Sequence, residues 1–218
     1  MAMTAAQILR LNGNMRDSPL IDVVRRVHAL CSLRQLPYCI VGGMAVIRNG
    51  YPRTTMDVDI LTLKKAWLKV LPLEGEISSQ GIDNCVDGKT GVTIDILFAD
   101  EDWGMLIPMP DPQNVGEYDE ELGARFIGLH DLVQLKMAVH LSKLQESGIE
   151  VAAKDLSDVY ELMSRSLPRF SKEVIQTYDA AIRSRCMRTF ERVVQASKTT
   201  KRPRRDRLMP MDPTPQGR

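Results

Sequence analysis

The sequence predicts an α/β (α+β) protein: a small mixed-sheet core followed by a helical C-terminal subdomain. Two observations point there. Short apolar or alternating runs dominate residues 38–98, as strands require, whereas from Gly128 onward the apolar period changes to that of helices. A length of 218 residues with 44% hydrophobic content accommodates one sizeable core plus an appendage.

Taken in order, residues 18–36 place Leu20, Val23, Val24, Val27 and Leu30 at helical spacing, with Ser18 as N-cap and Pro37 as terminator. Residues 38–41, YCIV, read as a strand running into Gly42-Gly43. A short helix follows, closed by Asn49-Gly50. DVDILTL (57–63) alternates charge and apolarity like a half-buried strand, and KKAWLKVLP adds a helical turn or two. Residues 83–100 read as a hairpin turning at Asp87-Gly88, with VTIDILF as its long second strand. Residues 100–125, punctuated by prolines and glycines, read as a connecting segment. Three helical stretches follow, the last one interruptible. The expected units are residues 1–125 (core with its N-terminal helix), 126–197 (helical subdomain) and 198–218, a basic tail rich in proline and expected to be disordered.

Composition narrows the function classes. Cys31, Cys39, Cys85 and Cys186 lack CxxC spacing and neighbouring histidines, so they read as free thiols rather than a zinc site or disulfide framework. His28 reads as structural, and His130 and His140 have no paired ligands. The N-terminus has no secretory pattern and no apolar run reaches membrane-spanning length, which predicts a cytoplasmic protein without a membrane partner. The net charge of +1 hides seven basic and two acidic residues in 198–218, leaving about −4 on the rest. A tail of that charge can hold RNA through phosphate contacts, or simply keep the chain soluble. The oligomeric state is not legible: the helices carry enough apolar surface for a dimer, and an internal core uses it equally well.

The chemistry lies in residues 40–62 taken with 93–97. Asp57 and Asp59, two apart on one strand, point to one face. Carboxylates held so close repel each other and invite a cation; Mg²⁺, or Mn²⁺, suits hard oxygen ligands and leaves positions for phosphate. Asp95, set between Ile94 and Ile96 on another strand, would complete a metal set of Asp57, Asp59 and Asp95, and is the best-placed group to help deprotonate an acceptor hydroxyl. Gly42-Gly43 lets backbone N–H groups approach a phosphate closely, without matching a Rossmann or P-loop pattern. Arg53 and Thr55, just before the carboxylates, are expected to contact phosphate or orient Asp57. A DxD pair alone is a weak signal; the glycine pair upstream and the aspartate downstream make the set specific.

With these residues in view, the run GG–x13–DVD, preceded by YCIV and followed by TIDIL, resembles the nucleotidyltransferase superfamily of the DNA polymerase beta type. RTTMDVD and the helical second half are most similar to its AbiEii-like branch, which includes toxins of toxin–antitoxin pairs. The resemblance spans roughly residues 36–165. It implies that Gly42 and Gly43 hold an NTP's triphosphate, that Asp57 and Asp59 bind the metals, and that Asp95 completes the site as ligand and base. Gly43 stands where many members carry Ser. Lys136, mid-helix among apolar residues, either snorkels to the surface or matches the branch's phosphate-binding lysine. Asp155 and Asp158, in a segment like the family's [RK]DxxD, bind the lysine, lie near the site or cap their helix. The implied activity is transfer of an NMP group to a hydroxyl of tRNA, protein or a small molecule such as an aminoglycoside. A non-catalytic nucleotide- or partner-binding role, and a toxin neutralised by a cognate antitoxin, are the alternatives.

Overall fold

The computed structural model describes residues 18–71 and 76–200. Helix α1 (Pro19–Leu33) is followed by β1 (Tyr38–Ile40), α2 (Gly42–Arg48), β2 (Asp57–Thr62), α3 (Lys64–Trp67), β3 (Ile77–Ser79), β4 (Asn84–Asp87) and β5 (Thr93–Phe98). Then come α4 (Pro112–Val115), β6 (Gly116–Asp119), β7 (Ala124–Ile127), α5 (Leu129–Glu146), α6 (Ile149–Arg165), a 3-10 turn (Leu167–Arg169), α7 (Lys172–Gln176) and α8 (Ala180–Thr200). The seven strands form one mixed sheet in the order β3-β4-β5-β2-β1-β7-β6.

Helix α1 buries the apolar stripe its spacing predicts: Leu20, Val23, Val24 and Val27 are buried together with Ile21 and Cys31, against β7 and β2. Ser18 occupies the N-cap position but uses its carbonyl, which accepts from Ile21 N at 3.0 Å, rather than its hydroxyl. The sheet's pleat does the rest. Val58 and Ile60 of β2, and Ile94, Ile96 and Phe98 of β5, are buried on one face, while Asp57, Asp59 and Asp95 stand half-buried on the other. Asp95 is thus flanked by isoleucines in sequence but not buried among them.

Three elements depart from the sequence reading. Residues 100–125 are not merely a connector: α4 and the hairpin β6–β7 close one edge of the sheet. The strands are short and β6 is half-exposed, so no clear alternation marks them. The hairpin is tied to α2 by Arg48, which lies 3.0 Å from both Glu117 and Asp119. Second, Asp87 is not just a turn residue. Its carboxylate is fully buried, accepts two bonds from Arg26 of α1 (2.6 and 2.8 Å) and one from the Thr90 hydroxyl, and the turn runs over residues 88–92. Third, α8 extends to Thr200, so the first three residues of the expected tail are helical; residues 201–218, on which the disorder expectation rests, lie outside the described residues.

The third helical stretch is interrupted, as its sequence allows, by a break between α7 and α8. All four cysteines are free and buried, and burial pushes the thiols of Cys31, Cys39 and Cys186 up to about 12 and that of Cys85 up to about 11. Among the described residues no helix is long and apolar enough to cross a membrane.

Candidate active site

Two parallel neighbours set the site. Strands β2 and β5 pair in register, Asp57 beside Thr93 and Asp59 beside Asp95, so the three aspartates share one face across adjacent strands. Each already has a donor. The Thr55 hydroxyl donates to Asp57 Oδ1 (2.7 Å), Gly43 N–H donates to Asp59 Oδ2 (3.4 Å), and Asn84 Nδ2 donates to Asp95 Oδ1 (2.9 Å). Asn84 pairs with Asp95 across β4–β5. Sequence reasoning missed it, because an Asn at the start of a short strand carries no signal until its register is known.

Two of these carboxylates, Asp59 and Asp95, are pushed toward protonation. Burial raises the Asp59 pKa, the Asp57 charge raises it further, and the Gly43 N–H and Lys136 only partly oppose them. Burial and Asp57 likewise raise Asp95, against the Asn84 bond. Among the described residues no group of three or more His, Cys, Asp or Glu side chains is drawn together closely enough to hold an ion as it stands. The donor chemistry nevertheless fits a hard dication: carboxylate oxygens on one face, with too little positive charge against them.

The glycine pair abuts this face. Gly42 adopts φ +56°, and a Cβ there would fall 1.7 Å from Asp59 Oδ2. Gly43 has no room for a side chain either: its Cβ would lie 2.2 Å from Thr55 Oγ1 and 2.9 Å from Arg53 Nη2. The pair is therefore required by the close approach of Asp59 on one side and Thr55 with Arg53 on the other. It also explains why serine is absent at position 43, since Thr55 fills that space with its own hydroxyl.

Lys136 does not snorkel. It is buried on α5 and lies 2.9 Å from Asp155 Oδ1 and 3.1 Å from Asp158 Oδ2. Asp155 also binds Lys143 (2.8 Å), and Asp158 lies 3.4 Å from Arg53 Nε. Both aspartates are buried well inside α6, which begins at Ile149, so the helix-cap reading of Asp155 is excluded. Burial opposes charging Lys136, but Asp155 and Asp158 outweigh it and its pKa rises; Asp155 falls for the reciprocal reason, burial being outweighed by Lys136. Three cations thus face two carboxylates in a chain from the glycine pair to α6. Gly42, Gly43, Arg53, Thr55 and Lys136 belong to one neighbourhood with Asp57 and Asp59. The histidines do not join it: His28 bonds the Tyr38 hydroxyl, His130 that of Tyr178, and His140 the Ala152 carbonyl.

The fold has counterparts among solved structures. An antigenic nucleotidyltransferase-like protein from Paracoccidioides brasiliensis superposes with a TM-score of 0.54 at 18% identity, over 83% of this chain and 89% of that one. The chain has a nucleotidyltransferase-like fold. Weaker likenesses are to the antibiotic-resistance factor ANT(2″)-Ia in solution (TM-score 0.46, 16% identity, 83% of this chain and 97% of that) and to ANT(2″)-Ia in complex with adenylyl-2″-tobramycin (0.47, 15%, 78% and 98%). No protein-family model and no curated protein matches the sequence.

Proposed function

We propose that the chain is a Mg²⁺-dependent nucleotidyltransferase that moves an NMP group from an NTP to a hydroxyl, releasing pyrophosphate. The observation that carries the reading is the in-register pairing of Asp59 with Asp95, with Asp57 on the same face, beside a glycine pair that admits no side chain. Asp57, Asp59 and Asp95 would hold Mg²⁺ or Mn²⁺; when bound, the ion neutralises triphosphate charge and favours ionisation of the acceptor hydroxyl.

The chain's own residues have separable tasks. Asp95, whose affinity for protons is raised, accepts the proton of the attacking hydroxyl. The acceptor oxygen bonds to the α-phosphorus as the bond to the bridging oxygen breaks, and pyrophosphate leaves. Arg53 and Lys136 meet the phosphate oxygens with positive charge, and Gly42-Gly43 lets the backbone come close. Asp155 and Asp158 fix Lys136 in place, as Asp158 does Arg53, without cancelling the cluster's surplus positive charge. The RTTMDVD run, together with the pairing of a helix lysine with the KDLSD segment, favours the AbiEii-like branch.

The test is incubation of the full chain with each labelled NTP and Mg²⁺, with total tRNA, total protein or hydroxyl-bearing small molecules as acceptors, against an Asp57→Ala/Asp59→Ala control. RNA is the acceptor to try first, because residues 198–218 carry a local +5. Label transferred by the wild type alone supports the reading and identifies the acceptor class. Absence of both transfer and Mg²⁺-dependent NTP binding would reduce the fold to a non-catalytic scaffold.

A further inference from the structure

Away from the carboxylates, helices α6 and α8 and the end of α5 enclose an open groove of about 870 Å³. Its floor is aliphatic and aromatic: Leu144, Ile149, Ala153, Leu156, Tyr160 and Ala196. Ile149, the first residue of α6, is 71% exposed, and Ala153 one turn on is exposed as well. One wall carries Arg185, Arg188 and Arg192, one or two turns apart on α8. None of the three makes an ion pair among the described residues, and no carboxylate among those residues lines the groove. Apolar surface left uncovered beside unneutralised guanidinium groups marks a recognition surface rather than a solvated helix face.

The chemistry selects the occupant. Residues 201–218 follow α8 in the sequence, but they hold six basic and two acidic residues, and the arginines would repel them. A single-stranded RNA would suit the arginines, yet with the His140 ring buried it would find one accessible aromatic face, that of Tyr160, whereas such binding relies on repeated stacking. A helix with aliphatic side chains on one face and carboxylates along its flank satisfies both features: the floor takes the apolar anchors and the arginine row takes the acids. We propose that this groove docks an acidic amphipathic helix of a partner protein, and that Arg185, Arg188 and Arg192 set its orientation. The proposal is independent of the transfer chemistry assigned to the carboxylate face.

The experiment titrates the full chain into a fluorescent helical peptide with leucines on one face and glutamates on its flanks, and into the same peptide with lysines replacing the glutamates. Oligouridylate and vesicles containing phosphatidylserine are run in parallel. Arg188 and Arg192 are exposed, so Arg188→Glu/Arg192→Glu tests charge without disturbing the core. The expected result is binding of the glutamate peptide, a loss of about tenfold or more in the double variant, and a gain by that variant for the lysine peptide. Ala153→Trp, at an exposed floor position, is expected to block both peptides. Equal affinity of the wild type for both peptides, or no binding of the glutamate peptide, overturns the proposal. So does oligouridylate or vesicle binding that the double variant abolishes while peptide binding stays unchanged.

Discussion

Two aspartate clusters lie close together in this molecule and have opposite electrostatics. On the sheet, Asp57, Asp59 and Asp95 accept from the neutral Thr55 hydroxyl, Gly43 N–H and Asn84 amide, and Asp59 and Asp95 are pushed toward protonation. On α6, Asp155 and Asp158 are more deeply buried, yet Asp155 is pulled the other way because Lys136 and Lys143 stand against it. Burial alone therefore does not distinguish a site from a strut. The distinction is whether the fold supplies the countercharge itself, as for Asp155, or, on the function proposed above, leaves it to a ligand, as for Asp59.

The largest expected effects follow from that contrast. Asp59→Asn should abolish transfer, by about 10³-fold or more, because a carboxylate proposed to bind the cation is lost. The same change should stabilise the ligand-free protein by about 1 kcal/mol at neutral pH, since it removes a charge the fold disfavours. The sign is fixed by the raised native pKa: the native state holds the Asp59 proton to higher pH than the unfolded chain does. The variant's advantage is therefore full at neutral pH and shrinks as pH falls through that raised value. Asp158→Asn should do the opposite, costing about 3 kcal/mol by stripping a partner from buried Lys136 and from Arg53. Thermal melts from pH 4 to 8, read beside single-turnover rates, compare the two. Destabilisation by both substitutions would mean that the sheet carboxylates are structural too.

A smaller effect concerns the space at Gly43. Gly43→Ser should cost about 1–3 kcal/mol and slow transfer, because its Cβ would collide with Thr55. Adding Thr55→Ala removes the nearest clash, 2.2 Å to Thr55 Oγ1, while the Cβ of residue 55 at 2.7 Å and Arg53 Nη2 at 2.9 Å must still shift, and it leaves one hydroxyl where the wild type has one. The double variant should recover stability and rate relative to Gly43→Ser alone, as measured by chemical denaturation and initial rates. If Thr55→Ala instead deepens the defect, the Thr55 bond to Asp57 matters more than the shared space.

Much of this was legible in the sequence because it is periodic or local. The alternation in DVDILT put two aspartates on one face, the Gly42-Gly43 step marked a close approach, and the change of period after Gly128 located the helices. What stayed hidden depends on register and on distant partners. The hairpin β6–β7 has strands of four residues each and is anchored by Arg48, nearly 70 positions earlier in the chain, so its own composition says little. The role of Asp155 was undecided while the start of its helix was unknown: placed at the first turn it is a cap, but α6 begins at Ile149. Asp87 looked like an ordinary turn residue because its partner, Arg26, comes from helix α1, 61 positions earlier.

Asn84 provides the finest test of the comparison, since it is the only side chain among the described residues that bonds Asp95. Its amide stabilises the charged carboxylate and so holds the Asp95 pKa below where burial and Asp57 would take it. Asn84→Ala removes that restraint, so the Asp95 pKa rises and the acid limb of the kcat/KM profile moves to higher pH, with a loss of a few-fold at neutral pH. Asn84→Asp adds a like charge in the same place and should move the limb further in the same direction. A merely structural Asn84 would lower the whole profile without displacing its acid limb. Displacement in the order Asp, Ala, Asn would identify Asp95 as the group whose ionisation the rate follows, and Asn84 as the residue that positions it.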